Sequence, residues 1–158
     1  VIDRLQSQVG RVLINASQNT THYAAFGHPV IADAMPDFAG PLAGLQTGLL
    51  HCTTPYLVTA PCDSPFFPLD LVARLAQALH ANKSEIALGV TGEGATRQPH
   101  PVFCLVSITV LPHLTNYLQN GGRKFERWYS TLKTTEVYFA DEKAFRNINT
   151  LEELKMTV

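Results

Sequence analysis

Apolar positions along this chain alternate between a helical and an extended period. Val1, Ile2, Leu5 and Val9 fit one helical face that Gly10 breaks, and the apolar run Val12-Leu13-Ile14 then reads as a buried strand ending at Asn15. Residues 20–26 suit a short helix, and Pro29-Val30-Ile31-Ala32 suits a second short strand ending in Asp33. Gly40-Pro41 makes a turn with proline at a helix start, and Leu42, Leu45, Leu49 and Leu50 supply that helix with an apolar face. Residues 55–60 are apolar on both faces, the pattern of a central strand in a parallel sheet covered by helices, and they run into Pro61-Cys62-Asp63-Ser64-Pro65.

Pro68 opens the next helix, with Leu69, Val72, Leu75, Ala76 and Leu79 on one stripe. Residues 86–90 and 102–106 read as strands around Gly92-Glu93-Gly94, either a hairpin or a mobile loop. Residues 107–119 read as a helix, with Pro112 near its start or at a kink and Asn120-Gly121-Gly122 as the stop. A short helix over 125–132, a short strand over 137–140 and a final helix capped by Thr150 and Glu153 complete the pattern. The alternation predicts an α/β fold with an open, mostly parallel sheet and helices on both faces, in which ligands bind beyond the carboxyl ends of the strands. Asn15, Asp33 and Asp63 all fall at such ends.

Length and composition narrow this further. The 158 residues fit one domain, and 46% hydrophobic with 16% charged residues excludes a disordered tail or a coiled coil. Twelve Lys and Arg against thirteen Asp and Glu give a net charge of −1, so nothing global points to nucleic acid or an anionic membrane. No apolar stretch approaches the roughly 20 residues of a membrane-spanning helix. Three cysteines without a C-x-x-C spacing suit free thiols in a reducing cytoplasm. The chain opens at Val1 inside a helical pattern, without Met or a signal peptide, as though cut.

Candidate chemistry concentrates at the strand ends. Asp63, stiffened between Pro61 and Pro65, suits either a Mg²⁺ ligand or an Asx turn, since Mg²⁺ takes one or two carboxylates with phosphate oxygens and water. Asp33 admits the same two readings. Gly40-Pro41-Leu42-Ala43-Gly44 suits close approach of a ligand to backbone N–H groups or simply a tight turn. Arg123, Lys124 and Arg127 form the densest basic cluster, a phosphate site or a solvated helix start. Asn147 and Asn149 flank Ile148, and His100 precedes Pro101 beside a strand. The six histidines lack H-x-x-x-H or H-E-x-x-H spacing, which argues against a catalytic zinc.

Taken in order, Gly40-Pro41-Leu42-Ala43-Gly44, Ala60-Pro61-Cys62-Asp63-Ser64-Pro65, His100-Pro101 and Asn147-Ile148-Asn149-Thr150-Leu151-Glu152-Glu153-Leu154 resemble the molybdenum cofactor guanylyltransferases over essentially the whole chain. The resemblance implies a Rossmann-like three-layer α/β/α fold and Mg²⁺-dependent transfer of GMP from GTP to molybdopterin, with transient contacts to cofactor-supplying proteins and molybdoenzyme chaperones. It implies GTP contacts at Asn15, Asp33 and the Gly40 to Gly44 turn, with Leu42 and Ala43 included, and makes Asp63 the catalytic metal ligand. It puts His100, Arg123, Lys124, Asn147 and Asn149 toward molybdopterin. The family's Gly-rich signature, L-A-G-G-x-S-x-R-M-G-x-D-K, has no counterpart here, so the first strand and its phosphate-binding loop are expected outside residues 1–158. A related CTP or sugar-phosphate nucleotidyltransferase, or a non-catalytic nucleotide-binding module, are the alternative readings.

Overall fold

The computed structural model describes residues 1–34 and 40–156. In chain order these form α1 (Ile2–Gln6), β1 (Ile14–Asn15), α2 (Thr20–Ala24), β2 (Val30–Ile31), α3 (Pro41–His51), β3 (Tyr56–Val58), α4 (Leu71–Ala81), β4 (Ile86–Thr91), β5 (Gln98–Ser107), α5 (Leu111–Gln119), α6 (Phe125–Tyr129), β6 (Thr134–Tyr138) and α7 (Leu151–Met156). Single 3-10 turns lead into β5 and α5 and follow β6.

The strands make two sheets. β1 and β2 pair in parallel, and a four-stranded sheet runs in the order β3-β5-β4-β6. β4 pairs with β6 in parallel, whereas β5 runs antiparallel to both β3 and β4, so this sheet is mixed rather than purely parallel. The cause lies in Gly92-Glu93-Gly94, which turns the chain straight back as a hairpin. A Cβ on Gly92, at φ +68°, would stand 2.2 Å from the Thr96 carbonyl oxygen, so only glycine closes this turn.

All six residues of β4 are buried, and alternate ones serve opposite cores. Ile86, Leu88 and Val90 join Leu42, Leu45 and Leu49 of α3, Leu114 and Leu118 of α5, and Trp128 of α6. Ala87 lies on the other face with Leu71, Leu75 and Leu79 of α4 and a cluster of Phe67, Phe103, Phe139 and Phe145. The result is helix, sheet, helix in three layers. α1 adds Val1 and Leu5 to the α4 side, tied down by Arg4 donating to the Phe67 carbonyl at 3.1 Å and Gln8 to that of Pro68 at 3.1 Å.

One expectation is displaced. β3, whose sequence suits a central strand, is the edge of the four-stranded sheet, bonded on one side only to β5.

Trp128 is fully buried, and its indole N–H donates to His113 Nδ1 at 3.0 Å. Nδ1 must therefore be the unprotonated nitrogen, since indole only donates. His113→Ala would orphan that donor and should cost about 1–3 kcal/mol in chemical denaturation, whereas His113→Gln, still able to accept, should lose less. Equal losses in the two variants would refute this role.

Candidate functional site

The carboxyl ends of β1 and β2 are knotted by side chains. Asn15 Nδ2 donates to the Ile31 carbonyl at 3.1 Å and to Asp33 Oδ1 at 2.9 Å, and the Asp33 backbone N–H donates to Ser17 Oγ at 3.3 Å. The half-buried Asp33 carboxylate is thus held in one orientation by its neighbours. α3 begins beside this knot. Gly40, at φ 132°, is its N-cap without a side-chain cap bond, and Pro41 takes the first turn. A Cβ on Gly44 would lie 2.6 Å from Asn15 Oδ1, and one on Gly48 would lie 2.8 Å from Leu57 Cδ2. Two glycines one helical turn apart therefore let α3 press against β1 and then β3.

A cavity of about 790 Å³ follows from this packing. Its lining includes Leu13 and Ile14 of the β1 segment, Leu57 and Val58 of β3, residues of α1 and α3, Tyr23 of α2 with Phe26 just beyond it, and Leu154 of α7. Its polar end carries Asn15, Gly40, Gly44 and Asp63. The Asp63 carboxylate makes no hydrogen bond or ion pair among the described residues, while its backbone carbonyl accepts from Ile148 N–H at 2.7 Å. The fully buried Ser64 hydroxyl donates to Asn147 Oδ1 at 2.8 Å. These two bonds clasp the Asp63 loop to the Asn147 segment.

A second cavity, of about 590 Å³, opens on the other side of that clasp, lined by Thr91, His100, Glu142, Lys143, Phe145, Arg146 and Asn147. Pro61 and Val102 border both cavities. His100 Nε2 lies 2.7 Å from Thr91 Oγ1, and its ring stacks on Phe145 at 4.8 Å between centroids. Burial holds the His100 imidazole below its usual pKa, with Glu142 pulling the other way. Cys104, by contrast, is a core thiol that burial pushes up to about 12, far from any nucleophilic role.

Asn15, Gly40, Pro41, Gly44 and Asp63 thus line one cavity, Asp33 reaches it only through its bond to Asn15, and His100 with Asn147 line the adjoining cavity. Within the turn, Leu42 and Ala43 direct their side chains into the core. Three expected acceptor residues line neither cavity. Arg123 donates to the Leu118 and Gly122 carbonyls at the end of α5, Lys124 is the N-cap of α6, and Asn149 N–H donates to Glu153 ahead of α7. Ser64, Thr91 and Phe145, which position Asn147 and His100, carry no sequence signal of their own, although Ser64 sits inside the Asp63 motif.

Among the described residues no three His, Cys, Asp or Glu side chains cluster as a metal cage. A lone free carboxylate at a cavity mouth fits a cation that draws its other ligands from phosphate and water, the habit of Mg²⁺.

Comparison with known proteins gives this arrangement a class: the chain belongs to the family of MobA-like NTP transferase domains, matched over residues 1–135. It is a nucleotidyltransferase by family. More narrowly, it is 54% identical over 153 residues to the molybdenum cofactor guanylyltransferase of Cupriavidus necator, covering 96% of this chain and 77% of that protein. It is 47% identical over 155 residues to that of Polynucleobacter asymbioticus, covering 98% and 78%. Among solved structures, molybdopterin-guanine dinucleotide biosynthesis protein A from Archaeoglobus fulgidus aligns with a TM-score of 0.74 at 18% identity, covering 98% of this chain and 82% of the other. The 2-C-methyl-D-erythritol 4-phosphate cytidylyltransferase of Thermus thermophilus aligns at 0.73 with 14% identity, covering 98% and 83%; at such identities the fold alone is shared.

The state of His100 makes stability depend on pH. Its folded pKa is depressed, so the unfolded chain binds more protons in acid; the contribution is complete above the ordinary histidine range and lost as pH falls through it toward the folded value. Denaturation midpoints from about pH 8 down to about pH 5 should fall less steeply in His100→Phe than in the parent. Identical slopes would refute the assignment.

Proposed function

We propose that this protein transfers GMP from GTP to the terminal phosphate of molybdopterin, forming molybdopterin guanine dinucleotide and releasing pyrophosphate. The observation that carries this reading is the pair of cavities sharing Pro61 and Val102, with the Asp63 loop clasped to Asn147 between them. Two substrates seated in adjoining cavities meet at one wall, and holding reacting groups together supplies much of the acceleration of such a transfer. The names of the relatives support the identity of the two substrates.

In this reading the GTP nucleoside sits in the larger cavity against Asn15, which Asp33 holds, and the start of α3. Asp63 would hold Mg²⁺, which supplies positive charge against the triphosphate and acceptor phosphate when bound. His100 and the Asn147 side-chain amide hold the acceptor. An acceptor phosphate oxygen forms a bond to the α-phosphorus of GTP, and the bond from that phosphorus to the bridging oxygen breaks, with the electron pair leaving on pyrophosphate. No protein nucleophile is needed. We place the reaction in the cytoplasm, where Cys52, Cys62 and Cys104 stay reduced, and expect transient contact with proteins that deliver the cofactor or receive the product.

The Gly-rich phosphate loop belongs, in this proposal, to a segment outside the 158 residues. The chain alone should therefore give negligible GMP transfer, and robust turnover by it would overturn that part. In the chain carrying the loop, Asp63→Asn should lower GMP transfer by at least about 10²-fold without changing the denaturation midpoint. A near-normal Mg²⁺-dependent rate would refute the metal role, and equal use of CTP would favour a cytidylyltransferase.

A further inference from the structure

Holding an acceptor phosphate takes positive charge, and neither His100 nor Asn147 supplies it. Burial lowers the His100 pKa, which leaves the ring mostly uncharged at neutral pH, and Asn147 offers only an amide. Arg123 and Lys124 line neither cavity, and the described residues around the larger cavity include no Lys or Arg. The second cavity has one of each, Lys143 and Arg146.

Both come from one 3-10 turn. Lys143 lies within Glu142–Phe145 after β6, and Arg146 caps the turn, its N–H donating to the Lys143 carbonyl at 3.2 Å. Side chains three residues apart in this geometry stand over one another, so the two cations rise on one side. The turn itself is fixed. Asp141 Oδ1 accepts from Lys143 N–H at 3.0 Å, and Ala144 and Phe145 between the cations are buried, Phe145 against the His100 ring. Beyond Arg146, the bonds from Ser64 to Asn147 and from Ile148 to Asp63 tie the chain to the Asp63 loop. Arg146 and Asn147 line the second cavity and Ile148 the larger one, so the chain crosses between the cavities right after the guanidinium.

Their charge is uncommitted. The Lys143 and Arg146 side chains are exposed and make no hydrogen bond or ion pair among the described residues. Glu142, the one carboxylate of the lining, pairs with neither, so two cations against one anion leave this cavity positive.

We propose that Lys143 and Arg146 clamp the terminal phosphate of the acceptor, which makes the second cavity a phosphomonoester site; the rest of the acceptor rests on the guanylyltransfer reading. A guanidinium presents parallel N–H groups to two phosphate oxygens, whereas an ammonium acts as a point charge. Arg146 therefore orients the phosphate and Lys143 attracts it.

The test titrates the 158-residue chain with phenyl phosphate, with phenol and with hydroxymethylpterin phosphate, following the NMR signals of the His100 ring and the Lys143 and Arg146 amides. Phenyl phosphate should shift them and phenol should not. Arg146→Gln should weaken phenyl phosphate binding by roughly tenfold or more, with Arg146→Lys between it and the parent. Lys143→Gln should weaken it by about threefold. Lys133→Gln, which removes the same charge ahead of β6 and away from both cavities, should change nothing. Unchanged affinity in Arg146→Gln, an equal loss in Lys133→Gln, or shifts centred on Arg123 and Lys124 would overturn the proposal. Trp128 fluorescence reports whether each variant keeps its core, and the shift map of the parent decides where one does not. Hydroxymethylpterin phosphate separates the clamp from the reading beneath it. Arg146-dependent binding of phenyl phosphate that a pterin does not tighten upholds the clamp and counts against a molybdopterin acceptor.

Discussion

Burial of β4 on both faces is the constraint from which the rest of the molecule follows. A strand with no solvent face must be covered twice, and its alternating side chains recruit α3, α5 and α6 on one side and α4 with the phenylalanine cluster on the other. Both cores also reach the site. Leu42, Leu45 and Leu49 anchor α3 so that its first turn abuts Asn15, and Phe145 belongs at once to the second core and to the stack on His100. The geometry at the strand ends is therefore set by packing well away from them.

Much of this was legible because period and punctuation agreed. The apolar run from Ile86 to Val90 and the Gly40-Pro41 helix start stand where pattern placed them, whereas the stripe expected through Leu69, Val72, Leu75, Ala76 and Leu79 is centred on Leu71, Leu75 and Leu79, with Leu69 exposed because α4 begins only at Leu71. The amino-terminal half of β5 was not legible, because Pro99 and Pro101 argue against a strand. β5 tolerates them there because that half pairs only with β4, while β3 pairs farther along, so one edge needs no donors. The antiparallel course of β5 was equally hidden. A glycine-rich connection is compatible with either direction, and the choice is made by how tightly Gly92 lets the chain turn beneath Thr96.

The polar residues of the candidate site stand out in the sequence, and their supports do not. Asn15, Asp33 and Asp63 announce themselves as polar residues closing apolar strands. What turns His100 and Asn147 is a threonine, a serine and a phenylalanine brought in from other parts of the chain, and such tertiary partners leave no local mark. The basic cluster lies apart from both cavities. Arg123 stands out by its charge, but its guanidinium serves the carbonyls that close α5, a cap that spacing alone does not distinguish from an anion site.

The clasp between Ser64 and Asn147 has one more consequence. An asparagine amide is ambivalent, able to offer either an acceptor or two donors to whatever approaches. By setting the carbonyl oxygen against a serine 83 positions earlier in the chain, the fold biases that choice. The end left over gives hydrogens, so at this point of its wall the cavity offers donors to an oxygen-rich guest, while Glu142, Lys143 and Arg146 of the same lining supply the charges it meets. Chemical preference is here written by a hydroxyl that no visitor ever touches.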